Sequence, residues 1–315
     1  MRTLLRFLSL LAGQTGLQQL ERKPEPDSVT DASENVVQYS RVMATKLVLT
    51  YAAGIEIVHR ARSEHSSHSA VDLACGPGHY TLCLARYLAY QDVIGVDLSS
   101  PMVSLARQNA AQQGLSDTVS FQTADIVSLE EALPHSFDLA SFTGAAHHMA
   151  DLQTVAQVLR QMDRIAKPTG LVMLMDLARL RTRRLTERYI RTLAKDYIER
   201  GLAKFLDDFR ASMYAVWTPK ELRSAIPKQS ARWWVHLVPR GLPTIQVVVG
   251  LPVGRDQLFA RPSWGFDDHP LIRDWYPRWE NQVSRSWARE TLQEWKLMRL
   301  SLLTAGKYWI PPLSC

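Results

Sequence analysis

The 315-residue chain has only three cysteines, Cys75, Cys83 and Cys315, and none stands at metal-ligand spacing from another. So sparse a set excludes a disulfide scaffold and a cysteine zinc site, and no metal ligand set is expected. It fits reduced thiols in the cytoplasm. Long apolar runs are missing too: no stretch approaches the roughly 20 apolar residues of a membrane span. The opening MRTLLRFLSLLAG begins with a basic residue, but Arg6 interrupts its short apolar run, so it reads as an amphipathic helix rather than a secretory leader. There is no internal repeat and no low-complexity tract. At 46% hydrophobic and 22% charged the composition is that of a globular chain. The formal net charge of +6 permits an anionic partner without specifying one.

What is present is an alternation. Residues 23–34 are polar, carry two prolines and read as a loop or linker. Residues 35–62, with Tyr39 near their start, have apolar positions at helical spacing. After a polar loop, strand and helix patterns take turns: SAVDLA, then Tyr80 to Tyr90; DVIGVDL, then Pro101 to Gln113 with Ser99 or Ser100 as cap; VSFQTAD; FDLASFTG, then Asp151 to Ala166; KPTG as a turn, then LVMLMDL. This order predicts an α/β fold with a mostly parallel sheet covered by helices on both faces. Residues 178–226 read as helical. ARWWVHLVP and PTIQVVVGLP then form an antiparallel hairpin that closes the sheet.

The first strand of the series leads into VDLACGPGHY, residues 71–80. A strand, a glycine turn and a helix make a cradle for a small molecule. A dinucleotide fingerprint would need a third glycine where Thr81 stands. Asp97 ends the second strand 21 residues after Gly76, where an acid can accept hydrogen bonds from both hydroxyls of a ribose.

VDLACGPG, followed in order by VIGVDLS, QTADI, FDLASFTGAAHHM and RIAKPTGLVMLMD, resembles the class I S-adenosylmethionine-dependent methyltransferases, in their small-molecule, ubiquinone- and menaquinone-type branch. The resemblance implies a Rossmann-like core that binds S-adenosylmethionine. It implies that Asp72 orients the glycine turn and approaches the methionine ammonium, and that Ala74, Gly76 and Gly78 run close to the methionine part. Asp97 would bind the ribose hydroxyls, Leu98 and Met102 would flank the adenine, and Asp125 and Ile126 would meet its amino edge. Thr143 and Gly144 would touch the methionine tail, and Tyr39 would close over the cofactor. Two departures from the pattern are Ala74 where a glycine is common, and Thr169 in KPTG. No Asn-Pro-Pro-Tyr stretch follows the fourth strand, which disfavours nucleobase methylation.

His147 and His148 follow that strand and are the candidate catalytic groups, since imidazole titrates near neutral pH. Residues 177–230 carry thirteen Lys or Arg against six Asp or Glu. Within them Arg181 and Arg184, which would share a face if the segment is helical, with Tyr214 and Trp217, are the candidate acceptor-binding residues. The organisation expected is a helical lid over 1–62, a cofactor core over 63–176, a helical insert over 177–230, the closing hairpin over 231–252 and a Trp-rich extension over 253–315. That extension packs across the core or offers a homodimer contact. The function expected is methyl transfer to a small molecule, biosynthetic intermediate or modified peptide. The alternatives are a non-catalytic subunit of the same fold that binds a protein, or an RNA-modifying enzyme, although no nucleic-acid reading motif is present.

Overall fold

The computed structural model describes residues 17–25, 37, 40, 47–62, 68–129, 137–199, 203–239, 244–253, 263–265 and 268–312. Tyr39, Cys315, the opening apolar segment and the expected hairpin turn lie outside them. Helix α1 (Val48–Ala61) is followed by β1 (Ser69–Leu73), α2 (His79–Leu88), β2 (Asp92–Asp97), α3 (Ser100–Gln112), β3 (Val119–Thr123), β4 (Phe137–Thr143), α4 (Leu152–Ile165) and β5 (Ala166–Leu177). Then come α5 (Arg183–Glu199), α6 (Ala203–Ala215), α7 (Pro219–Ser224), β6 (Trp234–Val238), β7 (Ile245–Gly250), α8 (Pro270–Gln282), α9 (Arg285–Leu303) and β8 (Gly306–Ile310). No helix among the described residues is long and apolar enough to cross a membrane.

The eight strands form one sheet in the order β3-β2-β1-β4-β5-β7-β6-β8. The first five run parallel, and β7, β6 and β8 are antiparallel to their neighbours. Alternation along each strand feeds two cores. Ala70, Val93 and Leu139 pack with α1, α2 and α3, while Val71, Leu73, Ile94 and Phe142 pack with α4 and α7. Helix caps match the sequence cues. Ser99 accepts from Met102 N at 3.4 Å, Asp151 from Thr154 N at 2.8 Å, and Thr218 with Glu221 completes a capping box before α7.

Two expectations need correction. KPTG is no separate turn: β5 runs through it, and the register slips where Phe137 faces Ala166 but Leu139 faces Leu171. The Arg232 guanidinium makes this irregular stretch affordable, donating to the carbonyls of Ala166, Lys167 and Gly170 at 3.0, 2.6 and 2.6 Å, with Asp163 as counter-ion at 2.7 Å. The hairpin also does not end the sheet, because the Trp-rich extension returns as β8 against β6. Helices α8 and α9 lie on the outer side of α1. That explains why α1 is buried almost all round, from Val48 to Ala61. Its Glu56 pairs with the buried Arg299 of α9 at 3.3 Å, and His59 stacks on Trp264 at 3.9 Å.

The glycine turn is fitted around one ring. A Cβ on Gly78 would meet Phe121 Cζ at 2.7 Å, and one on Gly95 would meet Phe121 Cδ1 at 2.4 Å, so the β3 ring occupies the space that two missing side chains leave. Gly78 has φ +78°, and Ala74 also sits in the left-handed region, at φ +52°. Gly78→Ala should therefore lower stability by about 1–3 kcal/mol. Ala74→Gly should leave it unchanged or raise it by less than about 1 kcal/mol, the relieved backbone strain being offset by the freer unfolded chain. Urea unfolding midpoints read both, and an undisturbed Gly78→Ala variant would contradict the tight fit.

Candidate functional site

Strand order reverses at β1, whose neighbours are β2 and β4, and a ligand crevice of an open α/β sheet belongs beyond the carboxyl ends of these strands. Its floor is Asp72. This carboxylate is 1% exposed and accepts hydrogen bonds from Thr81 Oγ1 of α2 at 2.7 Å and Ser141 Oγ of β4 at 2.8 Å. Burial pushes its carboxyl up to about 7, against the pull of both hydroxyls. Asp97, at the end of β2, accepts from Gly76 N at 2.7 Å and from Ser99 N at 2.9 Å. Burial raises its pKa, and His148 acts against that rise from across the crevice. Beside it Leu98 is 72% exposed, while Met102 is buried beneath. Asp125 is exposed and accepts from Val127 N at 2.9 Å; Ile126 is buried.

Thr143 is half-buried and Gly144 exposed at the end of β4, where Gly144 N donates to Met175 O at 2.7 Å. The chain then makes a single 3₁₀ turn over Ala146–His148. His147 is buried, and the Asp176 carboxylate at the end of β5 receives both its backbone N–H, at 2.9 Å, and its ring Nδ1, at 2.8 Å. Burial works against a charge on this ring, but Asp176 more than offsets it and raises the pKa. The His148 ring lies 4.2 Å from that of His147 and is partly open.

A segment that sequence reading treats partly as linker completes this corner. Residues 17–25 cross the mouth as a strap: Gln19 N and Leu20 N donate to Arg181 O at 2.8 and 3.0 Å, and Lys23 N to Tyr214 O at 3.0 Å. Arg22 stacks on Trp217 at 3.7 Å and donates to the carbonyls of His147, Met149, Ala150 and Ala215. Glu25 reaches His148 Nδ1 at 2.5 Å, and its Oε1 accepts from Ser212 Oγ at 2.6 Å. Burial would push the Glu25 carboxyl up, but the His148 imidazole overrides this and holds it at about 2.

The insert residues scatter. Arg179 is buried and held by Glu221 at 2.7 Å. Arg181 is half-buried and precedes α5, so it does not share a helix face with Arg184, which is exposed in the first turn. Tyr214 Oη donates to Glu187 at 2.9 Å. Trp217 is buried under Arg22 and donates its indole N–H to Ala146 O at 2.8 Å, so it shapes the His147 turn from below. Sequence reading names both histidines but misses Asp176 as a partner, and it misses Arg22 and Glu25 altogether. An acid closing a strand after His-His was the available signal for Asp176; nothing local marks the strap.

A family model described as a methyltransferase domain matches residues 64–221. The demethylmenaquinone methyltransferase of Lactiplantibacillus plantarum is 34% identical over 112 residues, 35% of this chain and 44% of that protein. The ubiquinone biosynthesis O-methyltransferase of Methylococcus capsulatus is 28% identical over 150 residues, 48% of this chain and 59% of that one. The chain thus spans about half the length of the curated relatives it matches. Among solved structures, a putative S-adenosylmethionine-dependent methyltransferase of Methanococcus maripaludis is 16% identical, covering 76% of this chain and 99% of that one, with a TM-score of 0.48.

Asp72 also gives the site a pH signature. With its carboxyl raised to about 7, the folded protein keeps a proton that the unfolded chain releases near pH 4. Its contribution to stability is complete below the unfolded pKa and is lost as pH rises through about 7. Asp72→Asn carries no charge at any pH, so its stability relative to the wild type should climb between about pH 4 and 7 and level off above. Unfolding midpoints across that range test this, and a pH-independent difference would mean that Asp72 stays ionised in the fold.

Proposed function

The chain belongs to the methyltransferase-domain family, and from that membership we propose that it transfers the sulfonium methyl group of S-adenosylmethionine to a small-molecule acceptor. The supporting observation is the placement of Asp97 at the end of β2 and of two imidazoles just after β4, on either side of the glycine turn that follows β1. Its residues fit the cofactor. A Cβ on Gly76 or Gly144 would meet nothing within 4 Å, so the cradle is open, and the exposed Leu98 offers an apolar surface to a planar base. Asp97 would take the ribose hydroxyls, with Asp125 and Ile126 at the base edge and Thr143 and Gly144 at the methionine end. Asp72 lies beneath the turn, already bonded to Thr81 and Ser141, and supports the turn from below.

The bound cofactor supplies an activated methyl group; the chain supplies alignment, a dry site and a route for the acceptor's proton. His147 is fixed by Asp176 and His148 by Glu25, so both rings are oriented before an acceptor arrives. They activate the acceptor by drawing the proton from its nucleophilic atom. The strap and α6 cover His147, which is buried, while His148 stays partly open, and Arg184 is exposed to solvent in the first turn of α5.

Asp97→Ala should weaken S-adenosylmethionine binding by about 1.5–3 kcal/mol, read by calorimetry. A folded wild type that binds no S-adenosylmethionine would end the proposal. His147→Gln or His148→Gln should cost about 10²–10⁴ in turnover with cofactor affinity nearly kept. If affinity collapses in step with activity, the rings are pocket walls. Arg184→Gln alone should raise the acceptor's KM and leave cofactor binding unchanged; an unchanged KM at low salt removes it from the acceptor site.

A further inference from the structure

We propose that Glu25, His147 and His148 form a binding site for one divalent transition-metal ion on the acceptor side of the crevice. One ligand atom from each of the three lies within 4.8 Å of the others. The three ligand atoms are not all paired with one another at hydrogen-bond distance. Glu25 Oε1 stands 3.9 Å from His147 Nε2, too far for a hydrogen bond. Two ligands that are each about 2.1 Å from one ion stand roughly 3–4 Å apart, which matches. Glu25 Oε2 meets His148 Nδ1 directly at 2.5 Å, closer than two ligands of one ion stand, so His148, whose side chain is 39% exposed, swings aside to admit the ion and is the path by which it enters.

The surroundings hold the ligands as a metal site requires. Asp176 takes the Nδ1–H of His147, which leaves the lone pair of the neutral ring on Nε2, facing Glu25. Ser212 donates to Glu25 Oε1 and orients that carboxylate. Two imidazoles and a carboxylate leave coordination positions open for an oxygen atom of the acceptor, and this donor set suits zinc, cobalt, manganese or ferrous iron rather than magnesium or calcium. Sequence reading expects no metal because only the cysteine spacings were informative; Glu25 lies 122 residues before His147. The ion deepens the function proposed above: with it bound the imidazoles would hold the ion in place of taking the acceptor's proton, and the ion would lower the pKa of a coordinated acceptor oxygen. Its role rests on that reading, but its binding does not.

The test is direct metal binding. The full chain, stripped with a chelator, is titrated with Co²⁺ and with Zn²⁺ and followed by visible absorption and calorimetry. One equivalent should bind, with Co²⁺ bands that Zn²⁺ displaces. Glu25→Gln and His148→Gln should each weaken uptake at least about tenfold, and Asp176→Asn by roughly 10–100-fold. Circular dichroism and S-adenosylmethionine binding of each variant certify the fold. Absence of saturable uptake by the wild type, or equal uptake by folded Glu25→Gln and His148→Gln variants, overturns the metal site and leaves methyl transfer standing. Uptake of one ion by a chain that binds no S-adenosylmethionine supports the site and overturns the methyltransferase reading.

Discussion

One buried carboxylate joins the three elements that make the crevice floor. Asp72 projects from β1, and the hydroxyls that satisfy it come from α2 and β4. A charge in that position is costly unless its partners hold their places. The turn between β1 and α2 and the end of β4 are therefore fixed relative to one another. Everything at the mouth is referred to those two points: Gly76 reaches Asp97 from the turn, and the 3₁₀ turn with its two histidines continues from β4.

The two walls of the mouth differ in how they are built. The β2 side is local, with Asp97 bonded to its own helix cap and to the glycine turn 21 residues earlier. The β4 side is assembled from distant pieces, with Asp176 from β5, Ser212 and Trp217 from the insert, and Arg22 and Glu25 from the strap. The strap is held by three backbone amides and by the side chains of Gln18, Arg22 and Glu25, and its amides and guanidinium donate to carbonyls of the insert and of the turn after β4. A core that binds one common cofactor can keep the first wall constant while the second follows the acceptor.

This difference also sets what could be read in advance. The parallel core was legible because each strand is a short apolar run and two of its helices begin at a capping residue, Ser99 and Asp151. The glycine turn and Asp97 were legible for the same reason, since their spacing is local. KPTG misled because a turn composition sits in a strand whose stray carbonyls are met by Arg232, a residue more than sixty positions away. GKYWI is as long as β1 but has no buried face, and only its pairing with β6 makes it a strand. Arg181 and Arg184 seemed to share a helix face because the start signal was overlooked: Thr182 caps α5, accepting from Leu185 N at 3.2 Å, and leaves Arg181 outside it. Glu25 lies among prolines and charges, and what gives it meaning is a histidine on the far side of the core.

Helix α1 carries a further consequence, for the way the chain reaches its fold. It lies between the sheet and helices α8 and α9, and the Glu56–Arg299 pair spans 243 positions. Synthesis delivers α1 among the first elements and its cover among the last. During that interval a helix that is apolar nearly all round has only the sheet and α2 against it, and contacts of such sequence separation form slowly. Until Trp295 and Arg299 have emerged, the nascent chain presents a sticky surface, and a ribosome that stalls before α9 would release a product suited to chaperone capture rather than a smaller working enzyme.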